Sequence, residues 1–334
     1  MNGIGANGNG SPARSGTRAL GLLAKPLNGT ILHRLADAPM RLVDLRRECG
    51  SPAQTTLRTH LRELEELGTI AKQRRTRFPG ALEYELEAPG EELLFVLEAL
   101  ERWLEQAPEG PLEFGTRGAR AATKALVEAW SSTMLRALAA RPLSLTELDG
   151  IIGGLNYPSL ERRLAAMRLA GQVVACDGDG GGTPYRVTEW LRRGVAPLAA
   201  AARWERRHAP DSSAAIARVD AEATFLLSLP LLRLPAEMSG SCRMGVEMKN
   251  GGERRLVGAT AQVEQGKVAS CTAHLQGDAD AWATGSAMGW LHAVTGSDMD
   301  GLEMGGDQRL VRSLVEGLHK VLFRSARRAR TRAR

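Results

Sequence analysis

Leu57-Arg58-Thr59-His60-Leu61-Arg62-Glu63-Leu64-Glu65-Glu66-Leu67-Gly68 is the stretch on which the reading of this 334-residue chain turns. Leu57, Leu61 and Leu64 give the i, i+4, i+7 stripe of an amphipathic helix, and Gly68 closes it. Ser51-Pro52 predicts the start, an N-cap followed by proline at the first helical position. With Leu57 turned inward, the opposite face carries Thr55, Arg58, Thr59 and Arg62. Side chains of these types reach base edges and phosphates in a major groove; otherwise they form a solvated helix face.

Upstream, Leu22, Leu23, Leu27, Ile31, Leu32 and Leu35 recur at near-helical spacing, and Pro26 and Gly29 suggest two short helices. Leu42, Leu45 and Cys49 predict a further short helix ended by Gly50. Compact helices with a tight turn before the last are the helix-turn-helix pattern. Downstream the period changes to Ile70, a Pro79-Gly80 turn, and the alternating Glu83-Tyr84-Glu85-Leu86. Such a hairpin is a wing, and its Lys72, Arg74, Arg75 and Arg77 stand where a winged protein touches the nucleic-acid backbone or minor groove; the plainer reading is a solvated basic hairpin. The helix expected over 91–106 carries Leu93, Leu94, Phe95, Leu97, Leu100, Trp103 and Leu104, more apolar surface than one small core needs. The surplus predicts a pairing helix.

The unit recurs. Residues 30–39 reappear as 133–142, an offset of 103, which persists through Leu45 and Leu148, Leu57 and Leu160, Leu61 and Leu164, and Gly68 and Gly171. The offset then slips to 101, pairing Tyr84 with Tyr185 and Trp103 with Trp204. A period near a hundred residues fits a duplicated small domain. The second copy exposes Pro158, Glu161, Arg162 and Ala165 on the corresponding face, and its wing reads Cys176-Asp177-Gly178-Asp179-Gly180-Gly181-Gly182. Acid there repels phosphate, so this copy is expected to keep the fold, lose ordinary DNA reading and pair with the first; Arg162 and Arg163 are its candidates for any DNA contact.

The helix order, the run from Leu57 to Gly68, the basic hairpin and the Trp-bearing last helix resemble a winged helix-turn-helix regulator of the HxlR type over residues 20–108, and more faintly over 121–209. Such proteins are usually single winged domains that dimerise. Here the resemblance implies an internal pseudo-dimer within a bacterial-type transcriptional regulator that binds double-stranded DNA. Whether two whole chains pair into a homodimer stays open.

Beyond a linker over 208–213 the pattern changes class. A helix over 216–229, an antiparallel meander over 242–249, 254–265 and 267–275, and helices over 279–294 and 308–324 predict an α+β unit. The run from Gly277 to Asp307, with Asp278, Asp280, Gly285, Trp290 and Gly305-Gly306, is similar to the C-terminal half of sterol carrier protein type 2-like domains. That resemblance implies an apolar cavity for a hydrophobic small-molecule effector, lined by Trp282, Met288, Trp290 and Leu291, residues that equally serve as plain core. No nucleophile elbow, paired-carboxylate spacing or phosphate loop organises the acids and histidines, so no enzyme and no cofactor are expected.

The formal charge of +6 lies entirely in six arginines after Phe323, leaving residues 1–323 neutral. Cys49, Cys176, Cys242 and Cys271 show no CxxC spacing and read as reduced, without a metal. No apolar run is long enough for a membrane span and no signal peptide opens the chain, so a cytoplasmic protein is expected. The expected class is mainly α with α+β: a disordered tail over 1–17, tandem winged helix-turn-helix domains over 18–110 and, as a degenerate repeat, 119–210, a sterol carrier-like sheet-and-helix domain over 214–324, and a basic tail over 325–334. Two rivals remain, a protein-interaction scaffold built on winged helices and a hydrophobic-ligand carrier with incidental DNA contact.

Overall fold

The computed structural model describes residues 15–74, 82–128, 132–153, 156–177, 182–210, 216–250 and 253–323. Its first unit runs α1 (Thr17–Leu23), α2 (Pro26–Asp37), β1 (Met40–Arg41), α3 (Leu42–Glu48), α4 (Gln54–Glu66), β2 (Ile70–Arg74), β3 (Leu82–Leu86) and α5 (Ala88–Glu105). β3 sits between β1 and β2, antiparallel to both. Leu57, Leu61 and Leu64 of α4 are buried with Leu45, Ile31, Leu32 and Leu35, as the stripes require.

Two local expectations are corrected. Gly29 does not break a helix: it lies inside α2, where an added methyl would come within 2.6 Å of the Phe114 ring. Nor does Ser51-Pro52 start α4. Gly50 and Ser51 both take the left-handed conformation (φ 81° and 55°), Ser51 N–H donates to Arg46 O, and Arg46 Nε donates to Pro52 O. These bonds hold the pair in the turn, and α4 begins at Gln54 without a side-chain cap.

After α6 (Arg117–Glu128) the same order returns as α7 (Ser132–Ala140), α8 (Leu145–Ile151), α9 (Tyr157–Leu169), β4 (Val173–Ala175) and β5 (Tyr185–Val187). Backbone bonds return with it. Thr69 N–H donates to Leu64 O and Gln172 N–H to Met167 O; Glu87 N–H donates to Thr69 O and Thr188 N–H to Gln172 O. Met40 pairs with Tyr84, and Leu143 with Tyr185. Where α5 is continuous, the later stretch divides at Gly194 into α10 (Glu189–Arg193) and α11 (Val195–His208).

α5 packs along α11. Trp103 Nε1 donates to Trp190 O at 2.9 Å, and Trp204 Nε1 donates to Pro89 O at 2.7 Å. Since Trp204 and Trp190 stand 101 residues after Trp103 and Pro89, these two bonds exchange roles across the interface. The α1 N-terminus also reaches this side: buried Glu205 of α11 accepts from Gly16 N–H at 2.6 Å and Ala19 N–H at 2.8 Å. Gly16, which the sequence reading placed in the tail, is thus bonded to α11.

The last third holds α12 (Arg218–Ser228), a 3-10 turn at Leu229–Leu231, β6 (Gly240–Asn250), β7 (Glu253–Glu264), β8 (Lys267–Thr272), β9 (Ala281–Ser286), α13 (Ala287–Gly296), β10 (Leu302–Gly306) and α14 (Gln308–Phe323). The sheet order is β10-β9-β6-β7-β8, and β9 runs parallel to β6. The meander is as expected; the helix expected over 279–294 is not. Ala281, Ala283 and Gly285 alternate with Trp282 and Thr284, a strand period, and only residues from Ala287 onward are helical. Cys242, Met244, Val257, Ala259, Ala261 and Ala283 face Phe225, Trp290, Leu310 and Leu314 of the covering helices in one core. Phe323 stacks on Phe95 at 5.5 Å and Arg102 donates to Phe323 O, so this third shares packing with α5.

Candidate nucleic-acid interface

Thr55, Arg58, Thr59 and Arg62 all lie exposed on the outer face of α4. Thr59 Oγ1 donates back to Thr55 O at 3.0 Å, whereas Arg58 and Arg62 bond to no described residue. Two of the three acids of the same helix are engaged by lysines, and the third, Glu66, is exposed in its last turn. Glu63 accepts from Lys25 at 2.5 Å and Glu65 from Lys72 at 2.8 Å, so neither of these carboxylates pairs with Arg58 or Arg62, which form no ion pair among the described residues. Partial exposure makes each ion pair worth little in stability; their consequence is the sign of the surface.

The helix is fixed from beneath by a polar link that sequence reading missed. Asn28, fully buried, donates to Leu22 O at 2.9 Å and meets His60 Nδ1 at 2.6 Å through Oδ1. Burial, the largest influence, holds His60 below the ordinary histidine range. A polar residue in the apolar stripe of α2 was the available signal.

On the hairpin, Lys72 is not a free cation. It bonds Glu65, lies 5.3 Å from the centre of the Tyr84 ring, and is held above the usual lysine value chiefly by the Glu65 bond. Arg74 is exposed and bonds to no described residue. Arg75 and Arg77 lie outside the described residues. On α9 the corresponding positions Pro158, Glu161, Arg162 and Ala165 are exposed, with Arg162 near Ser159 Oγ at 3.5 Å, and Arg163 is half-buried.

The expected ligand residues do not line one cavity. Trp290 is buried against Phe225, 5.0 Å between ring centres, and donates to Gly245 O at 2.8 Å. Trp282 sits on the opposite face of the sheet, its ring filling the space above Gly305. Met288 is half-buried on α13, and Leu291 lines a separate cavity of about 90 Å³ among α1, α11 and α12. Alternation along β9 turns Trp282 away from Ala281 and Ala283, whose face shares the core with Trp290 of α13. Among the described residues there is no group of three His, Cys, Asp or Glu able to hold a metal and no helix long and apolar enough to cross a membrane.

The HxlR-like helix-turn-helix family model matches residues 22–110, the segment from the end of α1 to beyond α5. The HTH-type transcriptional regulator YodB of Bacillus subtilis (strain 168) is 31% identical over 88 residues, 26% of this chain and 79% of that protein. The solved reduced form of YodB from B. subtilis is 30% identical, covering 28% of this chain and 90% of that one, with a TM-score of 0.27. Identity at that level across most of the regulator, together with the family match over the same helices and hairpin, makes this chain a member of the HxlR-like helix-turn-helix family.

Proposed function

We propose that the protein is a DNA-binding transcriptional regulator in which α4 enters the major groove of double-stranded DNA through Thr55, Arg58, Thr59 and Arg62. One observation carries this reading: Arg58 and Arg62 project from α4 without a partner among the described residues, while Lys25 and Lys72 pair with Glu63 and Glu65. Arg74, with Arg75 and Arg77, holds the phosphate backbone, and Lys72 contributes less because its charge is engaged.

Residues 119–210 are in this reading a degenerate second copy, and the two copies form a pseudo-dimer inside one chain. The recurrent backbone bonds and the exchanged tryptophan bonds support it. Glu161 in place of Arg58 leaves the second copy a partner rather than a reader. The C-terminal third is the sensing unit, of sterol carrier type by resemblance, and its packing on α5 and α7 offers a route by which a ligand shifts the reading head. The protein is a binding protein and not an enzyme.

Selection of genomic fragments by the chain truncated after Phe323 tests the proposal, since the arginine-rich end adds sequence-independent affinity. One enriched motif, lost in an Arg58→Ala, Arg62→Ala variant, is expected. No enrichment by the folded protein at low salt overturns it. It would favour the scaffold reading, for which Ile151, Tyr157 and Leu169, 50%, 45% and 85% exposed around α8 and α9, supply an apolar surface.

A further inference from the structure

A cleft of about 320 Å³ opens between the C-terminal end of α7, the β5–α10 segment and the 3-10 turn that leads into the last sheet. Arg141, Arg186, Arg192 and Arg233 line it, with Glu189 as its one carboxylate. Residues expected at these positions by duplication would not be basic: Arg186 and Arg192 stand 101 residues after Glu85 and Glu91. The cleft belongs to the second copy and its junction with the last third, outside the DNA-reading face.

Arg186, Arg192 and Arg233 form no ion pair among the described residues. Arg192 donates to Leu226 O at 2.8 Å and to Leu227 O at 3.3 Å; Arg233 donates to Pro230 O and Leu232 O at 3.2 and 2.7 Å. Carbonyl oxygens fix a guanidinium without cancelling its charge. Glu189 pairs with Arg193 at 2.6 Å, outside the lining, and among the described residues Arg141 is the cleft arginine with an ion pair, to Glu147 at 2.7 Å. Arg186 is exposed and bonds to no described residue. Burial is the main influence holding Arg192 below the ordinary arginine range; the nearby Arg186 charge pushes the same way, and Cys271 and Glu189 push against it. Gathering like charges around a concavity is costly unless a counter-ion occupies it, and guanidiniums suit carboxylate and phosphate oxygens through paired N–H donors.

We propose that this cleft binds a small organic oxyanion, a carboxylate or phosphate monoester whose charged group faces Arg186, Arg192 and Arg233 and whose apolar body rests on Ala139, Pro142 and Leu231. Such a ligand touches the second winged unit and the last third at once, so its occupancy favours one arrangement of the two. The binding step is independent of whether the chain reads DNA.

Titration calorimetry on the full-length protein at fixed ionic strength tests it, with benzoate, phenyl phosphate and neutral benzamide as probes. At least one of the two anions is expected to bind more tightly than benzamide, and which one binds separates carboxylate from phosphate recognition. Arg186→Gln, at an exposed and unbonded position, is expected to weaken the anion about tenfold with no change in Tm. Equal binding of benzamide and both anions, no binding at all, or an Arg186→Gln variant that binds like the parent overturns the proposal. An Arg186→Glu variant, which reverses the charge, is expected to abolish binding, and retained binding there is equally fatal to it.

Discussion

The indole rings of Trp103 and Trp190 lie face to face, 4.4 Å between centroids and 4° from parallel, and each ring N–H donates to the other residue's backbone carbonyl at 2.9 and 2.7 Å. Both are buried, so the pair supplies apolar area, ring stacking and two satisfied polar groups at one point between α5 and α10. It fastens the first winged unit to the stretch that follows.

Replacing either ring by alanine is expected to cost about 3–5 kcal/mol, read from urea unfolding. Because the two share both bonds, the double variant should cost less than the sum of the singles, with a coupling of about 1–3 kcal/mol. Additive losses would show that the stack is incidental to the junction.

For DNA, Arg58→Ala and Arg62→Ala should each weaken binding while leaving the unfolding free energy within about 0.5 kcal/mol of the parent, since both side chains are exposed and neither bonds a described residue. Each lost phosphate contact lowers the slope of log affinity against log salt by about one. Lys72→Ala is expected to change affinity less than either, because its amine already serves Glu65 and Tyr84. A Lys72 effect larger than that of Arg58 contradicts the assignment.

Glu222, 1% exposed on α12, receives Arg136 of α7 at 2.7 Å and Arg218 at 2.6 Å. Glu222→Ala should cost about 3 kcal/mol, at the lower end for a broken buried pair because both arginines can turn to solvent. Limited proteolysis should then cut between α11 and α12 faster than in the parent. Unchanged cleavage would mean that apolar contacts alone hold α12 to α7.

Burial, opposed by the N–H groups of Gly16, Ala19 and Arg18, leaves Glu205 above the ordinary glutamate value. A carboxyl whose folded value is raised contributes stability that is full below the unfolded value and is lost as pH rises through the folded one. Compared with Glu205→Gln, the parent's advantage in Tm should therefore shrink as pH rises from below the usual glutamate range to above the raised value. A difference independent of pH would show that Glu205 does not titrate in that window.

The reading of α4 and its outer face was legible because Leu57, Leu61 and Leu64 repeat at helical spacing and fix which residues point away from the core. Arg58 and Arg62 follow from that geometry alone. Lys72 did not: its engagement depends on Glu65 and Tyr84 being brought beside it by the helix-to-strand turn. The β9 error has a similar origin. Ala281-Trp282-Ala283-Thr284 has helix-compatible composition, and pairing with β6 and β10 outweighed propensity. The arginine cleft was illegible for a stronger reason, since its four members lie on segments spread from residue 141 to residue 233.

By itself the sequence determined the helix stripes, the turn before α4, the hairpin after it, and the spacing at which the pattern recurs, because periodicity and turn chemistry are local and are written along the chain. Only the tertiary structure decided that Trp103 meets Trp190, that Glu205 caps α1, that Trp282 and Trp290 part to opposite sides of a sheet, and which cations remain unpaired. Those outcomes depend on distances through space between distant segments, and a guanidinium's role is set by whether a carboxylate happens to stand within reach once the core has closed.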